Sequence, residues 1–572
     1  MLFQLTNDLA RRRPRSWGQH WKQAREIHLP FYRSSGIGNI RKKLTSAPFP
    51  HQKMPPWMPS YKTLLLSLLA IITLHQAITA IMRYSTPSFL VALSHLNLAS
   101  AQSYSATKNT SCPTNQTADL DWHAPAKSQI NSLSSAINGT GTYGFIFNTS
   151  QGPLDTHNYC NMPHVNSKSY PRVKDSSYKL EYVEVIHRHH KRTPYADNTF
   201  PVETYPWYCN DEALFYGGQP INPAGNKSAD TYWSVYISPS NPLAPKGFNG
   251  TCQFPQITRG GLDDSHQHGV DLKSVYSDLL SFLPADYDPE ATTYRVTDNV
   301  ITSQVASMLI AGMYPSRANK ETPLLIQADS VDSLEPGYSC PASTSLFSSY
   351  AAGSSNPAWL AHINAASTLY NRLDTLSGID PTDQGWHKSL DHYFDNLSSR
   401  LCHAKPLPCN ANDPSDCVTL AEAETVFRLG EYEYSLTYRD SPESLRASTS
   451  GYGIWIAELA QNLRDAASGK DSSRPIYRHN VAHDGSISRL LSILQLETMV
   501  WPGMGAEVVF ELYSKGGESG CHFLRVLWGG QVLRSSHPAF GDMEMVPVET
   551  VLGYFDGLVG VGAGKVKGLC GL

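Results

Sequence analysis

The sequence predicts an α/β fold with an inserted, mainly helical lobe, and three observations carry this. The run Leu180-Glu-Tyr-Val-Glu-Val-Ile186 has the length and β-branched content of a strand. Helical spacing follows, with Leu272, Val275, Tyr276, Leu279 and Leu283 three and four residues apart before Pro284. The same order returns late. Pro475 to Ala482 reads as a strand, His483-Asp484-Gly485 as a turn, and Ser486 to Leu496 as a helix presenting Ile487, Leu490, Leu491 and Leu494 on one face. A chain of 572 residues has room for one large α/β domain with an insertion.

The remaining elements fit this frame. Thr293 to Val296 reads as a strand, and Ile301, Val305, Met308 and Leu309 share a helical face. Glu507 to Tyr513 reads as a strand. Phe523 to Trp528 and Gln531 to Leu533 flank Gly529-Gly530, a hairpin signal. Residues 176–330 and 475–572 therefore form the two parts of the core. Residues 331–474, with four cysteines and short helical patterns such as Leu420, Ala423, Val426 and Phe427, read as the inserted lobe. Residues 102–175, rich in Ser, Thr and Asn, read as a loop-rich lead-in. The tail Gly560 to Lys565 lacks phosphate-loop spacing and reads as flexible.

Composition narrows the function. With 41% hydrophobic and 17% charged residues, the chain is neither disordered, nor a coiled coil, nor a multi-span membrane protein. Residues 1–62 carry a net charge of +10 and the rest −14. A body this acidic disfavours nucleic acid as a partner.

Residues 1–61 form a basic extension, and 62–101 read as a signal peptide or signal anchor. The apolar stretch Leu64 to Met82 is 19 residues long, just enough to span a bilayer. Its strongest part, before His75 and Gln76, has the length of a signal-peptide core. Ala99-Ser100-Ala101 has the small-residue pattern of a cleavage site. Positive charge before the stretch predicts an exported body, either secreted or held at the cell surface by this segment. The ten cysteines form no C-x-x-C pair, which favours disulfides over zinc. Seven N-x-[ST] sequons, at Asn109, Asn115, Asn138, Asn148, Asn226, Asn249 and Asn396, predict N-glycans.

The chemistry concentrates behind the first strand, in Arg188-His189-His190-Lys191-Arg192-Thr193-Pro194. Ligand sites in open α/β sheets lie at carboxyl ends of strands. Arg188 and Arg192 offer planar donor forks that suit phosphoryl oxygens. Between them His189 can act as a nitrogen nucleophile, kept neutral by the adjacent guanidinium charge. His187, His189 and His190, with His266 and His268, form an alternative metal-ligand set, since strand alternation puts His187 and His189 on one face. The interleaved arginines oppose a cation, and no metal is expected.

The segment resembles R-H-G-x-R-x-P, the signature of the histidine acid phosphatases, branch two of the histidine phosphatase superfamily, with His190 in place of glycine. His483-Asp484 is similar to the family's late H-D pair. Gln256 to Gly269 looks like its Q-L-T-x-x-G segment, and Trp501-Pro502 with Glu507 to Tyr513 like its W-P…E-L-Y strand. The resemblance covers roughly 178–535 and is nearest to secreted fungal members. It implies a three-layer sandwich with a mixed central sheet and a helical lobe over the site. It also implies an exported acid phosphatase for small phosphomonoesters, needing no cofactor. In that scheme His189 accepts the phosphoryl group, Asp484 is the general acid, and Arg188, Arg192 and His483 clamp the phosphate. The family's R-S-T-D-x-x-R-T corresponds to Arg295 to Thr302, where its last arginine is Ile301. Arg295, the earlier arginine of that motif, stands as a candidate phosphate ligand, though it reads more readily as a structural ion-pair partner, with Asp298. The departures at His190 and Ile301 set an alternative expectation, a weakened or inactive phosphate- or glycan-binding surface protein on the same fold.

Overall fold

A computed structural model describes residues 117–142, 158–202, 250–470, 473–516 and 520–572, with short stretches between 206 and 242. All of these belong to one compact unit, Ala106–Leu572. The basic extension and the apolar stretch 64–82 lie outside the described residues. Among the described residues no helix is long and apolar enough to cross a membrane.

The centre is a mixed seven-stranded sheet. Its strands are β1 (Tyr178–Arg188), β2 (Thr292–Val296), β3 (Tyr477–Ala482), β4 (Glu507–Lys515), β5 (Cys521–Trp528), β6 (Gln531–Val532) and β7 (Val546–Pro547). The order is β6-β5-β4-β1-β3-β2, with β7 also on β5. β1 and β2 both run parallel to β3, whereas β4 is antiparallel to β1 and β5 antiparallel to β4. The β5–β6 hairpin turns on Gly529 and Gly530, whose φ of 58° and 77° suit the primed turn that glycine permits.

Strand alternation sorts β1 between two layers. Val183 and Val185 join Leu272, Tyr276, Leu309 and Met313 in a core under α1 (Arg259–Lys273) and α2 (Val300–Met313). Tyr182 and Ile186 join the opposite core, beneath α6 (Glu443–Ser468), α7 (Asp484–Ile493) and α8 (Val548–Val559). The result is a helix–sheet–helix sandwich.

The lobe assignment needs one correction. α6 lies within residues 331–474 but is a sandwich helix, with Trp455, Ile456 and Leu459 in the same core as Phe510 and Val526. α3 (Pro341–Tyr350) is tied to it, since Ser343 Oγ donates to the Ala447 carbonyl at 2.8 Å. The separate helical core is built from Pro357–Ala365, Ser367–Ser377, α4 (Asp391–Cys402) and α5 (Leu420–Ser435), and it includes Tyr393, Phe394, Val426 and Phe427. Tyr159 of the lead-in and Trp501 belong to that core too. The described part of the lead-in thus belongs to the packed structure.

Disulfides join Cys160 to Cys402, Cys209 to Cys252, Cys340 to Cys570 and Cys409 to Cys417. Val566–Leu569 is a short helix, and Cys570 is buried in its disulfide. A further correction concerns Asn396, which is 1% exposed on α4. Its amide donates to the Asn198 carbonyl at 2.9 Å and its oxygen accepts from Arg400 at 3.1 Å, so the folded chain offers no glycan acceptor there. Asn138 is exposed at the end of a short helix, Leu133–Asn138. The other five sequon asparagines lie outside the described residues.

Candidate active site

Parallel pairing brings the two distant motifs together. Arg188, the last residue of β1, stands opposite Ala482, the last of β3. Both chains then leave the sheet at the same end. The His189 N–H still donates to the Ala482 carbonyl at 3.0 Å, while His483 caps α7 and Asp484 occupies its first turn. Negative charge is favoured at such a helix start.

His189 is buried, with its ring 5.3 Å from that of His483. Its Nδ1 lies 3.0 Å from the His190 carbonyl. A carbonyl can only accept, so Nδ1 carries the hydrogen and Nε2 keeps its lone pair. Burial, then the charges of Arg188, Arg192 and His483, holds this imidazole well below the ordinary histidine range. The side chain is a neutral base with one free nitrogen.

Arg188 is braced from three directions. One terminal nitrogen donates to the Pro502 carbonyl at 2.6 Å and to the Tyr159 hydroxyl at 3.2 Å. The other lies 3.1 Å from Asp484 Oδ2. That same oxygen accepts from the Trp501 indole at 2.9 Å. Burial alone pushes the Asp484 carboxyl up, but Arg188, the indole N–H, Arg192 and His483 outweigh it and hold the group below the usual range. Trp501 is itself fixed by stacking on Phe394 and Tyr434, each with ring centres 4.0 Å away.

Arg192 pairs with Asp395 of α4 at 2.9 Å, and its guanidinium sits 4.2 Å over the Tyr195 ring. The Asp395 carboxylate is in turn fixed by the Asn198 amide at 2.7 Å and the Tyr195 N–H at 3.1 Å. His483 reaches Thr297 Oγ1 at 2.9 Å and Glu335 at 3.3 Å. The Nε donors of Arg188 and Arg192 are buried without a partner among the described residues. An anion between the two arginines could use that spare donor capacity.

Arg188, His189, Arg192, His483 and Asp484 therefore form one connected group. Arg295 is apart from it. Its guanidinium is spent on Glu458 at 2.8 Å, Asp332 at 3.1 Å, Gln327 and Ser333, a set with two carboxylates and no reach toward phosphate. The ion-pair role holds, with those two acids rather than Asp298. Ile301 is fully buried with Ile257, Val296, Val305 and Val481, so apolar packing fills that position. His187 and His189 do not share a face. The strand ends at Arg188, and His187 turns instead toward His190 and His268, which with it make one of two groups of potential metal ligands among the described residues. The other is Asp119, His123 and His537.

Sequence reasoning missed Tyr159, Asp395, Tyr195, Thr297 and Glu335. Each reaches the site from a loop or from the helical lobe, where periodicity carries no sign of direction. Trp501 was visible only as half of a W-P dipeptide.

A neutral histidine with one open nitrogen, two arginines and a carboxyl group gathered at the carboxyl ends of β1 and β3 define a site suited to phosphoryl transfer. The model of the histidine phosphatase superfamily (branch 2) matches residues 179–528, more than half of the chain, and the chain belongs to that family. Among curated relatives, 2-phosphoxylose phosphatase 1 of Danio rerio is 24% identical over 419 residues, covering 66% of this chain and 78% of that protein. Counting factor 60 of Dictyostelium discoideum is 23% identical over 384 residues, covering 65% and 84%. Among solved structures, the phytase of Klebsiella sp. ASR1 aligns with a TM-score of 0.44 at 14% identity, over 69% of this chain and 98% of that one.

Proposed function

We propose that this protein is an exported phosphomonoesterase working through a phosphohistidine intermediate. The observation that carries the reading is the fixed tautomer of His189, which leaves Nε2 open on a ring that feels the charges of Arg188 and Arg192.

In the first step Nε2 attacks phosphorus, a P–N bond forms and the ester P–O bond breaks. Asp484, protonated in the substrate complex, gives its proton to the departing alkoxide, which leaves as an alcohol. The resting site holds Asp484 ionised against Arg188. A phosphate dianion draws Arg188 to itself and adds negative charge beside the carboxyl group. Both effects raise its proton affinity once substrate is bound. In the second step Asp484 takes a proton from water, the water oxygen attacks phosphorus and the P–N bond breaks. Inorganic phosphate leaves and Asp484 is protonated again. Arg188, Arg192 and His483 stabilise the equatorial oxygens throughout.

Disulfides at Cys160, Cys209, Cys340 and Cys409 support an oxidising, exported setting. The test is hydrolysis of p-nitrophenyl phosphate under mildly acidic conditions. Turnover by the purified chain, abolished in His189→Ala, is expected. Absence of turnover overturns the reading in favour of a binding protein, and turnover unchanged in that variant overturns the phosphohistidine route.

A further inference from the structure

Behind the nucleophile lies a second cluster that the phosphatase reading does not use. His187 on β1, His190 just beyond it and His268 on α1 are each 0% exposed. One nitrogen from each lies within 4.8 Å of the others. Their rings are 4.8 to 5.5 Å apart, and His164 stacks on His268 at 4.1 Å.

The outward nitrogens of all three imidazoles have partners. His187 Nδ1 donates to the Arg188 carbonyl at 2.8 Å. His190 Nδ1 faces Ser265 Oγ at 3.1 Å. The Ser265 hydroxyl hydrogen is committed to the Gly261 carbonyl at 2.6 Å, so His190 must donate. His268 Nε2 lies 2.9 Å from Glu507, which is held at its other oxygen by the Val165 N–H at 2.9 Å. The nitrogens left over inside the cluster are Nε2 of His187, Nε2 of His190 and Nδ1 of His268.

Two of these nitrogens, on His190 and His268, are 3.3 Å apart, a separation that either a shared proton or a metal ion can bridge. A tetrahedral zinc site with Zn–N bonds of about 2.0–2.1 Å needs ligand nitrogens about 3.3–3.4 Å apart. Carbonyl, hydroxyl and carboxylate partners on the outward nitrogens are the usual orienting groups of metal-binding histidines. A proton on Glu507 could reverse the chain through His268 to His190 and satisfy both without a metal. It would still leave His187 Nε2 buried and unpartnered among the described residues. Gly505, at φ 73°, adds a further observation: a Cβ there would stand 2.8 Å from His190 Nε2, so the glycine keeps that nitrogen uncovered.

We propose that His187, His190 and His268 bind a borderline divalent transition-metal ion of the zinc class, which pins the segment carrying His189 to α1. Complete burial makes it a structural site, closed to substrate. Arg188 and Arg192 do not oppose it, because their charges are matched by Asp484 and Asp395.

The test uses the full chain purified without chelator and measures bound metal by mass spectrometry. The chain is then stripped and titrated with Co2+, whose visible spectrum reports tetrahedral imidazole ligation without thiolate. About one equivalent per chain, and a rise in Tm when Zn2+ is restored, are expected. Both are expected to vanish in His268→Leu, which keeps volume but removes a ligand. His123→Ala, in the separate Asp119–His123–His537 group, is the control and is expected to retain the metal. Metal lost in the control but kept in His268→Leu overturns the proposal, as does a wild-type chain that binds no Co2+. If His268→Leu does not fold, the wild-type Co2+ titration alone decides: a tetrahedral spectrum without thiolate supports the site and its absence refutes it. The proposal does not depend on catalysis, so it can fail while the phosphatase reading stands.

Discussion

Arg188 and Asp484, 296 positions apart in the chain, meet at 3.1 Å because each leaves one of two neighbouring parallel strands at the same end. The pair joins the phosphate-binding half of the proposed mechanism to the proton-donating half.

Replacing Asp484 by Asn removes the proton but keeps the shape. Turnover of alkyl phosphates, whose alkoxides leave poorly without a proton, is expected to fall about 100- to 10,000-fold. p-Nitrophenyl phosphate, with its better leaving group, is expected to lose much less. Comparing kcat for the two substrates checks this; equal losses would remove Asp484 from the proton-transfer role.

Trp501→Phe keeps an aromatic ring against Phe394 and Tyr434 but deletes the N–H that favours ionised Asp484. The carboxyl group then holds its proton to higher pH. A hydrogen bond to a charged group is worth about 1.5–3 kcal/mol. The alkaline limb of kcat/KM is therefore expected to move up by about one pH unit or more. A limb that stays put or moves down refutes this.

Asp395→Asn leaves Arg192 buried without its counter-charge. Breaking one side of a buried ion pair typically costs about 3–5 kcal/mol. A lower urea midpoint is expected together with weaker inhibition by inorganic phosphate, since the freed guanidinium loses its aim. Asn198→Ala, which removes one of the carboxylate's supports, is expected to show a smaller version of both effects.

Stability is expected to fall as pH rises from 5 to 8. Burial pushes Glu431 up to about 8, with the Trp501 backbone N–H opposing. In the unfolded chain it ionises near about 4.3. Between these values the folded chain keeps a proton that the unfolded chain has released, so stability is full below the lower value and drains away toward the upper. Glu431→Gln is expected to flatten that slope, by several degrees of Tm at pH 8. An unchanged slope would assign the effect elsewhere.

The sheet and the two motifs were legible because strand periodicity and charge placement are local. Leu180 to Ile186 alternates between two cores, and the run after it has nowhere to go but the strand's end. The three-layer form followed from family resemblance rather than from periodicity. What surrounds the motifs was not legible. Asp395 sits on a helix whose neighbours Tyr393, Phe394 and Leu397 are all buried, and nothing in that pattern says that a carboxylate should point at Arg192. Residues 443–468 were grouped with the lobe because short helical patterns do not say which core a helix covers. Arg295 looked like a phosphate ligand because its neighbours in sequence matched. Its partners Asp332 and Glu458 become neighbours only after folding.

The bridge between Cys160 and Cys402 bears on both arginines. Cys160 adjoins Tyr159, which steadies Arg188, and Cys402 ends the helix whose Asp395 steadies Arg192. One covalent staple thus holds the props of both guanidinium groups. Reduction of this bridge would loosen the supports of Arg188 and Arg192 together rather than one at a time.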